Sequence, residues 1–468
     1  MSRINTNVPS LIAQRVLGRN NAQLNQSLQR LSTGLKINSG ADNPAGLIAS
    51  ENLRAEKVGI STAIDNAERA SNIIGTAEGG LNEVSSLLTE LQNLIGQAAN
   101  KGGMSAEEIA ADQLQVDSIL STINRIAQST AFQGTKLLNG NYDYATSSVG
   151  TSAVQNLQVN SARVPDGAKV AVVVQVVTSA QTGVISYTGG TVTGTTVTLE
   201  VGGVNGTEQL SFASGTTVSS IVTAINGVKT ATGVSAQVTA AGAFRVNSTG
   251  FGSKQFVGLK ALTGTFTLAS NKDFGADANI TVNGAKAQTD GLKVSYRSSN
   301  LDLEFDLAQA VNTNNVVKTF GVTGGGATFA LGSKVTETDK ASIGIQSVST
   351  GSLGDSTIGF LSSIGSGGTN ALTSTALTSA QKILDKAIKQ VSGVRGRLGA
   401  FQKFTIGSTV NSLGVAYENA SAAESAIRDT DFVEETAELT RSQILSQAAS
   451  TVLSQANAAP QAALRLLQ

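Results

Sequence analysis

The sequence predicts an α+β, multidomain protein with helices at both chain ends and a β-rich middle. Glycine is unevenly placed: residues 143–372 hold 32 of the 50 glycines, and each costs a helix about 1 kcal/mol relative to alanine. Outside that stretch, apolar residues recur at steps of three and four, the period of an amphipathic helix. Inside it they alternate singly, as on a strand with one buried face.

The helical ends can be taken in order. Leu17, Leu24, Leu28, Leu31 and Leu35 step by 7, 4, 3 and 4, the a/d seam of a coiled coil. Leu81, Val84, Leu88, Leu91 and Ile95 form a second seam, and Val116, Ile119, Ile123 and Ile126 a third. Near the C-terminus Leu384, Ile388, Val391, Val394, Leu398 and Phe401 continue the pattern with one slip of phase, and Leu445, Ala448 and Val452 place a weaker seam on the last helix. Helix starts are marked too. Asn43 precedes Pro44, an N-cap followed by a proline whose missing N–H costs nothing at the first helical position. Ser105 with Glu108, and Thr378 with Gln381, have the spacing of capping boxes. Asn139-Gly140 signals a tight turn where the first helical block ends.

In the middle, "TTVTLEVGG" (195–203) puts Val197, Leu199 and Val201 on one face, and "KVAVVVQVV" (169–177) is strand-like. "GLKVSYRSSNLDLEFDL" (291–307) predicts two strands around a polar turn, with Leu301, Leu303, Phe305 and Leu307 sharing a face. A short helix is expected in 216–226, where Val218, Ile221, Val222 and Ile225 fall at helical spacing.

Composition excludes most enzyme classes. The chain has no cysteine and no histidine, which removes thiolate nucleophiles, disulfides, Ser–His–Asp triads and H-E-x-x-H zinc chemistry. Charge is balanced at 33 basic and 33 acidic residues, so no net field draws the chain to nucleic acid or an anionic membrane. Nowhere do about 20 apolar residues run on, as a membrane-spanning helix needs. The first residues, "MSRINTNVPSLIAQRVLGRN", lack the apolar core of a secretory signal. No cofactor or metal ligand set is expected.

One stretch invites a metal or catalytic reading. "DTDFVEETAELTRSQIL" (429–445) has five carboxylates in its first ten residues. Aligned from Asp429 as a calcium loop, it offers Val433, Glu434 and Thr440 where an oxygen ligand, a glycine and a glutamate are required. Asp431 with Glu434 instead has the form of an N-cap and its third-residue carboxylate, and acidic first turns are favoured by the helix dipole. A helix start is the expected reading, with a salt bridge between subunits as the alternative. "GGGATFALGSKV" (324–335) misses the phosphate-loop spacing and reads as a β-turn.

The extreme ends raise a different problem. Each is about 30 residues, about 45 Å if helical, with a thin seam and little nearby to cover it. Such helices should pair with each other and with neighbouring molecules, because a thin helix is marginal alone. That predicts a self-assembling subunit.

"LSTGLKINSGADNPAGLIASENLRAE" (31–56), "AESAIRDTDFVEETAELTRSQILSQAASTVLSQAN" (423–457) and "ALRLLQ" (463–468) resemble bacterial flagellin over about 270 residues, 1–142 and 342–468. The resemblance implies a long antiparallel helical coiled coil and bundle formed by both chain ends, with a β-rich central outer insert. Within that scheme residues 1–42 form an N-terminal filament-core helix, 43–180 the first part of the bundle with a β hairpin, and 181–341 the variable insert. Residues 342–430 form the second part of the bundle and 431–468 the C-terminal core helix. About 197–272 resembles a flagellin insertion module. The resemblance further implies a homopolymeric extracellular filament used for swimming, export without a cleaved signal, an export chaperone, and cap and junction partners. The expected subunit interface is Leu17, Leu24, Leu28, Leu31, Leu35, Ile444, Leu445, Ala448, Val452, Leu464 and Leu467. A junction protein between hook and filament, and a filament subunit whose insert is also a surface adhesin, are the alternatives.

Some flagellins are sensed by a Toll-like receptor through the helix that 88–97 matches, which would bring Leu88, Glu90, Leu94, Gln97 and, on the adjacent helix, Gln115 to a receptor-facing surface. The family's arginine is replaced here by Glu90. A carboxylate does not stand in for a guanidinium fork, so weak sensing is expected.

Overall fold

The structure, a computed structural model, describes residues 6–465 except 101–102, 151, 166–167, 193–194, 241, 265, 267–269 and 375, with side chains described as far as 458. The helices are α1 (Val8–Thr33), α2 (Pro44–Ala98), α3 (Ala106–Ser129), α4 (Val218–Gly227), α5 (Lys229–Thr232), α6 (Leu377–Ala400), α7 (Gly407–Arg428) and α8 (Phe432–Arg465). Helices therefore occupy both ends and strands dominate the middle. Two compact units divide the chain: Met1–Glu68 with Ala330–Asp339 and Ile406–Gln468, and Arg69–Phe329 with Lys340–Thr405.

Helix starts follow local chemistry. The Asn43 side chain accepts from the Gly46 N–H (2.9 Å), capping α2 ahead of Pro44. Ser105 and Glu108 form a reciprocal capping box at α3. The box expected at Thr378 and Gln381 is absent. α6 begins at Leu377, two residues ahead of that start, Ala376 supplies no side-chain cap, and Gln381 turns to Asp385 (2.9 Å).

In the larger unit, α2 buries Leu81, Val84, Leu88, Leu91 and Ile95 along one stripe, and α6 buries Leu384, Val391, Val394 and Leu398. On α3 the buried stripe is Val116, Leu120, Ile123 and Ala127, one residue further along than expected at two of its four positions, so that Ile119 and Ile126 are only half-buried. Burial also corrects the receptor-facing set. Leu88 and Leu94 are 0 % and 3 % exposed, so they are core residues of α2; Glu90, Gln97 and Gln115 do face outward.

The β region of this unit has two cores. In the first, an antiparallel sheet of order 285–286, 279–282, 170–178, 317–325, 144–147 shares its interior with a second sheet of order 288–290, 293–297, 301–307, 154–162. Val172, Val174 and Val176 alternate inward from one, Leu303, Phe305 and Leu307 from the other. The second core joins the sheet 272–274, 256–263, 197–203, 206–212 to the sheet 184–187, 243–248, 234–240 and to α4. Here Val197, Leu199 and Val201 meet Ile221 and Ile225 of α4. Tyr187 stacks on Phe266 at 4.0 Å, with Phe244 tilted 5.0 Å away. The Gly324–Gly326 stretch is a turn between strands 317–325 and 327–330, with positive φ at all three glycines. A Cβ on Gly325 would lie 2.2 Å from the Asp143 carbonyl oxygen. No helix follows it, and a phosphate loop needs one.

Two predictions follow from this packing. Replacing Phe244 with alanine removes a fully buried ring and should cost about 3–5 kcal/mol in denaturant unfolding of the β region. The second concerns Asp117 on α3, which accepts the Ser366 N–H (2.8 Å), the Ser366 hydroxyl and the Gln113 amide (3.2 Å). Burial alone would raise this carboxyl, but the hydrogen bonds from Ser366 and Gln113 outweigh it and hold it below its ordinary value. A lowered folded pKa gives stability that is present above the unfolded value and lost as pH falls through the folded one. Asp117→Asn should be less stable than the parent at neutral pH and converge with it as pH falls through the lowered folded pKa; urea midpoints across pH would show it.

Candidate assembly surface

The smaller unit contains both chain ends. α1 and α8 lie antiparallel, because their partners run in opposite order. Asn7 Nδ2 donates to the Ala456 carbonyl (2.9 Å), Ser10 Oγ to Asn457 (2.6 Å) and Asn20 Nδ2 to the Leu445 carbonyl (3.1 Å). Ser446 Oγ donates to Asn21 (2.7 Å), Gln23 Nε2 to Glu438 (3.2 Å) and Arg30 to Glu435 (3.5 Å). At the closed end Gly34 ends α1 with φ +72°, the left-handed conformation glycine adopts freely. Lys36 N–H then reaches the Arg428 carbonyl (2.7 Å), and Thr430 N–H the Gly34 carbonyl (3.0 Å).

The seam between the helices buries small and polar side chains completely and leucines only in part. On α1 it runs through Ser10, Ala13, Leu17, Asn20, Leu24, Ser27 and Leu31, of which only Ser10, Ala13 and Ser27 are fully buried. On α8 the buried positions are Glu435, Ser442 and Ala449, seven residues apart. The heptad is real on both helices, but α8 carries it at a different phase from the expected Leu445, Ala448 and Val452. Those three point away from the pair and are exposed. Leu28 is exposed as well, and Leu35 belongs to the closed end, where it bridges to Asp429. Leu17, Leu24 and Leu31 are half-buried in the seam. Leu464 lies on the helical backbone of α8, beyond the described side chains, and Leu467 lies outside the described residues.

What the seam leaves uncovered is apolar. On α1, Val8, Leu11, Ile12, Val16 and Leu28 are exposed, Leu11 by 57 %. On α8, Phe432, Val433, Ile444, Leu445 and Val452 are exposed, Val433 by 81 % and Ile444 by 64 %. Covering what these side chains still show to water is worth about 1 kcal/mol each. The buried apolar core of this unit, seam included, is thin and alanine-rich: Ala13, Ala63, Ala67, Ala420 and Ala449, with Ile37, Ile60, Leu331 and Ile406. Segment 330–339 comes close to α2 only because position 59 is glycine, where a Cβ would sit 2.7 Å from the Ser333 carbonyl oxygen.

The acidic run at 429–438 is distributed over separate structural tasks. Asp431 caps α8, accepting from Val433 (2.8 Å) and Glu434 (3.2 Å), while Glu434 stands in the first turn. Asp429 holds Ser425 (2.6 Å), and Glu438 pairs with Arg441 (3.0 Å). Glu435 takes Arg30 across the seam, leaving Glu435 Oε1 and Arg30 Nε buried without partners among the described residues.

The sequence matches the family models described as bacterial flagellin N-terminal helical region over residues 4–143 and bacterial flagellin C-terminal helical region over 381–467, and the flagellin hook IN motif over 198–250. It is 30% identical to flagellin B of Vibrio cholerae serotype O1 over 468 residues, covering 99% of each chain. The chain belongs to the bacterial flagellins. It is 31% identical to flagellin D of Vibrio anguillarum, again over 99% of both chains, and 29% identical to polar flagellin B/D of Vibrio parahaemolyticus. Among solved structures, FliC from Burkholderia pseudomallei is matched at 17% identity over 71% of this chain and 99% of that one, with a TM-score of 0.24. As a flagellin, the protein is a structural subunit of the extracellular flagellar filament and not an enzyme. Among the described residues no helix is long and apolar enough to cross a membrane.

The half-satisfied Arg30–Glu435 pair gives this surface a test. Arg30→Ala leaves a carboxylate in the seam without its cation and should cost about 3–5 kcal/mol, whereas Arg30→Met with Glu435→Leu should be neutral or stabilising. Thermal unfolding of the terminal helices by circular dichroism compares them.

Proposed function

We propose that this flagellin polymerises through the outward faces of α1 and α8, which supercoil as an antiparallel coiled coil and become buried against other copies of the chain. The observation that carries the reading is the inversion of the pair. The fully buried positions of its inner seam are small or polar, with Leu17, Leu24 and Leu31 only half-buried between them, and its large apolar residues Leu11, Ile12, Ile444 and Val452 face out. A soluble pair would place them the other way round, since burial of large apolar side chains is the main favourable term in helix association. The helices of 43–180 and 342–430 form the bundle, and the two β cores face the medium, the first of them shared between strands 144–178 and strands 279–325 of the insert.

Family membership supports the remaining partners. The chain leaves the cell without a cleaved signal, is escorted by an export chaperone, and meets cap and junction proteins at the filament ends. Recognition by a Toll-like receptor is weak, because Glu90 is exposed where an arginine would be needed. With Leu88 and Leu94 in the core, only Glu90, Gln97 and Gln115 of the expected set remain as direct receptor contacts.

Deleting residues 435–468 should leave a soluble, monomeric protein by sedimentation. The sharper variant is Ile444→Asp with Leu11→Asp, both on exposed positions. It should raise the concentration needed for polymerisation by about a hundredfold, about 2.7 kcal/mol, with helicity unchanged. Filaments of the double variant at the parent's threshold, seen by negative-stain microscopy, would contradict this mode of assembly.

A further inference from the structure

Four asparagines of the chain precede a glycine: Asn139, Asn205, Asn226 and Asn283. An Asn-Gly pair is open to attack by its own backbone, because glycine carries no Cβ to shield the nitrogen that follows the asparagine. The fold decides which pair reacts. The nitrogen must be free of hydrogen bonds and the side-chain carbonyl must reach it, a matter of proximity and orientation.

Three of the four are locked. Asn226 and Gly227 close α4, and Ala236 holds both ends of the Asn226 amide: Nδ2 donates to its carbonyl and Oδ1 accepts from its N–H, each at 2.9 Å. Asn283 stands in the tight turn between 279–282 and 285–286 with φ +51°. Its Oδ1 accepts from the Val173 N–H (2.8 Å) and its Nδ2 donates to the Ala171 carbonyl (3.3 Å), so the side chain is tied to strand 170–178. Asn205 donates through Nδ2 to the Thr230 carbonyl (3.2 Å) and through its N–H to the Thr232 carbonyl (3.3 Å), and Gly206 begins the strand opposite Gly203. Each must give up bonds to other parts of the fold before its carbonyl can turn.

Asn139 is held differently. It is exposed and lies in no helix or strand. Its Oδ1 accepts from the Asn141 N–H (3.0 Å), a bond within its own loop that folds the side-chain carbonyl back along the chain over residue 140. The Gly140 N–H makes no hydrogen bond among the described residues. The loop is nevertheless anchored. Leu137 and Leu138 are fully buried, Val348 N–H donates to the Leu138 carbonyl (3.1 Å), and Ile345 N–H to the Tyr142 carbonyl (2.9 Å). These bonds hold the turn in place around the free nitrogen.

We propose that Asn139 is a site of spontaneous deamidation in which the chain supplies its own nucleophile. The Gly140 nitrogen loses its proton to water and attacks Asn139 Cγ. The new N–Cγ bond closes a succinimide as the Cγ–Nδ2 bond breaks and ammonia leaves with a proton. Water then opens the imide. Cleavage of the Cγ–N bond leaves aspartate, and cleavage of the bond between the nitrogen and the backbone carbonyl leaves isoaspartate. The sum is one water consumed and one ammonia released. Either product exchanges a neutral amide for a carboxylate, and isoaspartate adds a carbon to the main chain between Leu138 and Tyr142. The site does not depend on the mode of assembly.

The test is peptide mapping by mass spectrometry of the purified full-length chain aged in neutral buffer, with isoaspartate read by methylation with an isoaspartyl methyltransferase. Residue 139 should convert about tenfold faster than residues 205, 226 and 283, a barrier difference of about 1.4 kcal/mol, since the other three must first break hydrogen bonds. Its rate should rise with pH, because the attacking nitrogen must be deprotonated. In the chain unfolded by guanidinium chloride the four sites should react at similar rates, which separates the effect of the fold from that of the dipeptide. Asn139→Gln should abolish the signal from its peptide with unchanged thermal unfolding, since the longer side chain closes a less favourable ring. Residue 139 unmodified in the native chain overturns the proposal. So does any other of the four converting as fast as residue 139 in the native chain.

Discussion

The antiparallel pairing of α1 with α8 is the contact on which the smaller unit depends, and it is built from the wrong residues for a self-sufficient helix pair. Ser10, Ser27, Ser442 and Asn20 give hydrogen bonds and close approach, but little apolar area leaves water along the seam. Hydrogen bonds of this kind contribute only about 0.5–1.5 kcal/mol net each. They specify register well and stabilise poorly. The larger apolar side chains of both helices stand exposed on the outer faces of the pair, and in the assembly proposed above they are what another copy of the chain would cover.

The Arg30–Glu435 pair serves the same end. Its unmet Nε and Oε1 make it a costly contact by energy alone. Its use is geometric: shifted by a few residues along the seam, either helix would bury an unpaired charge. The closed end at Gly34, Lys36 and Thr430 pins the same register through backbone hydrogen bonds, so two devices of different chemistry agree on one alignment.

The larger unit has the opposite economy. Its helices bury full stripes of leucine, isoleucine and valine, and its two β cores are closed by fully buried rings such as Phe305 and Phe244. Glycine is used there to admit backbone, as at Gly325 against Asp143, and along α6 to leave space over a charged sheet face. Stability is concentrated where no partner is needed, and adhesion where one is.

Much of this was legible in residue order. Strand faces at Val197–Val201 and Leu301–Leu307, the short helix at Val218–Ile225 and the caps at Asn43, Ser105 and Asp431 are local matters of period and hydrogen-bonding side chains, and period is written in the sequence. What could not be read was phase where the apolar signal is weak. On α8 Leu445, Ala448 and Val452 suggested one seam, but the helix leaves them exposed and packs by Ser442 and Ala449, because the fully buried positions of α1 opposite are the small Ser10, Ala13 and Ser27. The leucine at 88 was legible as core by its heptad and misleading as surface by resemblance. The contact of Arg397 with Asn160 and Asp302 was invisible, since those two meet through the pairing of distant strands and Arg397 reaches Asn160 from α6. Sequence alone determined that the ends are helical and the middle rich in strands, and that the ends carry more apolar surface than their pairing covers. Tertiary structure decided which face is left over, because that depends on the side chains opposite and not on those of the helix itself.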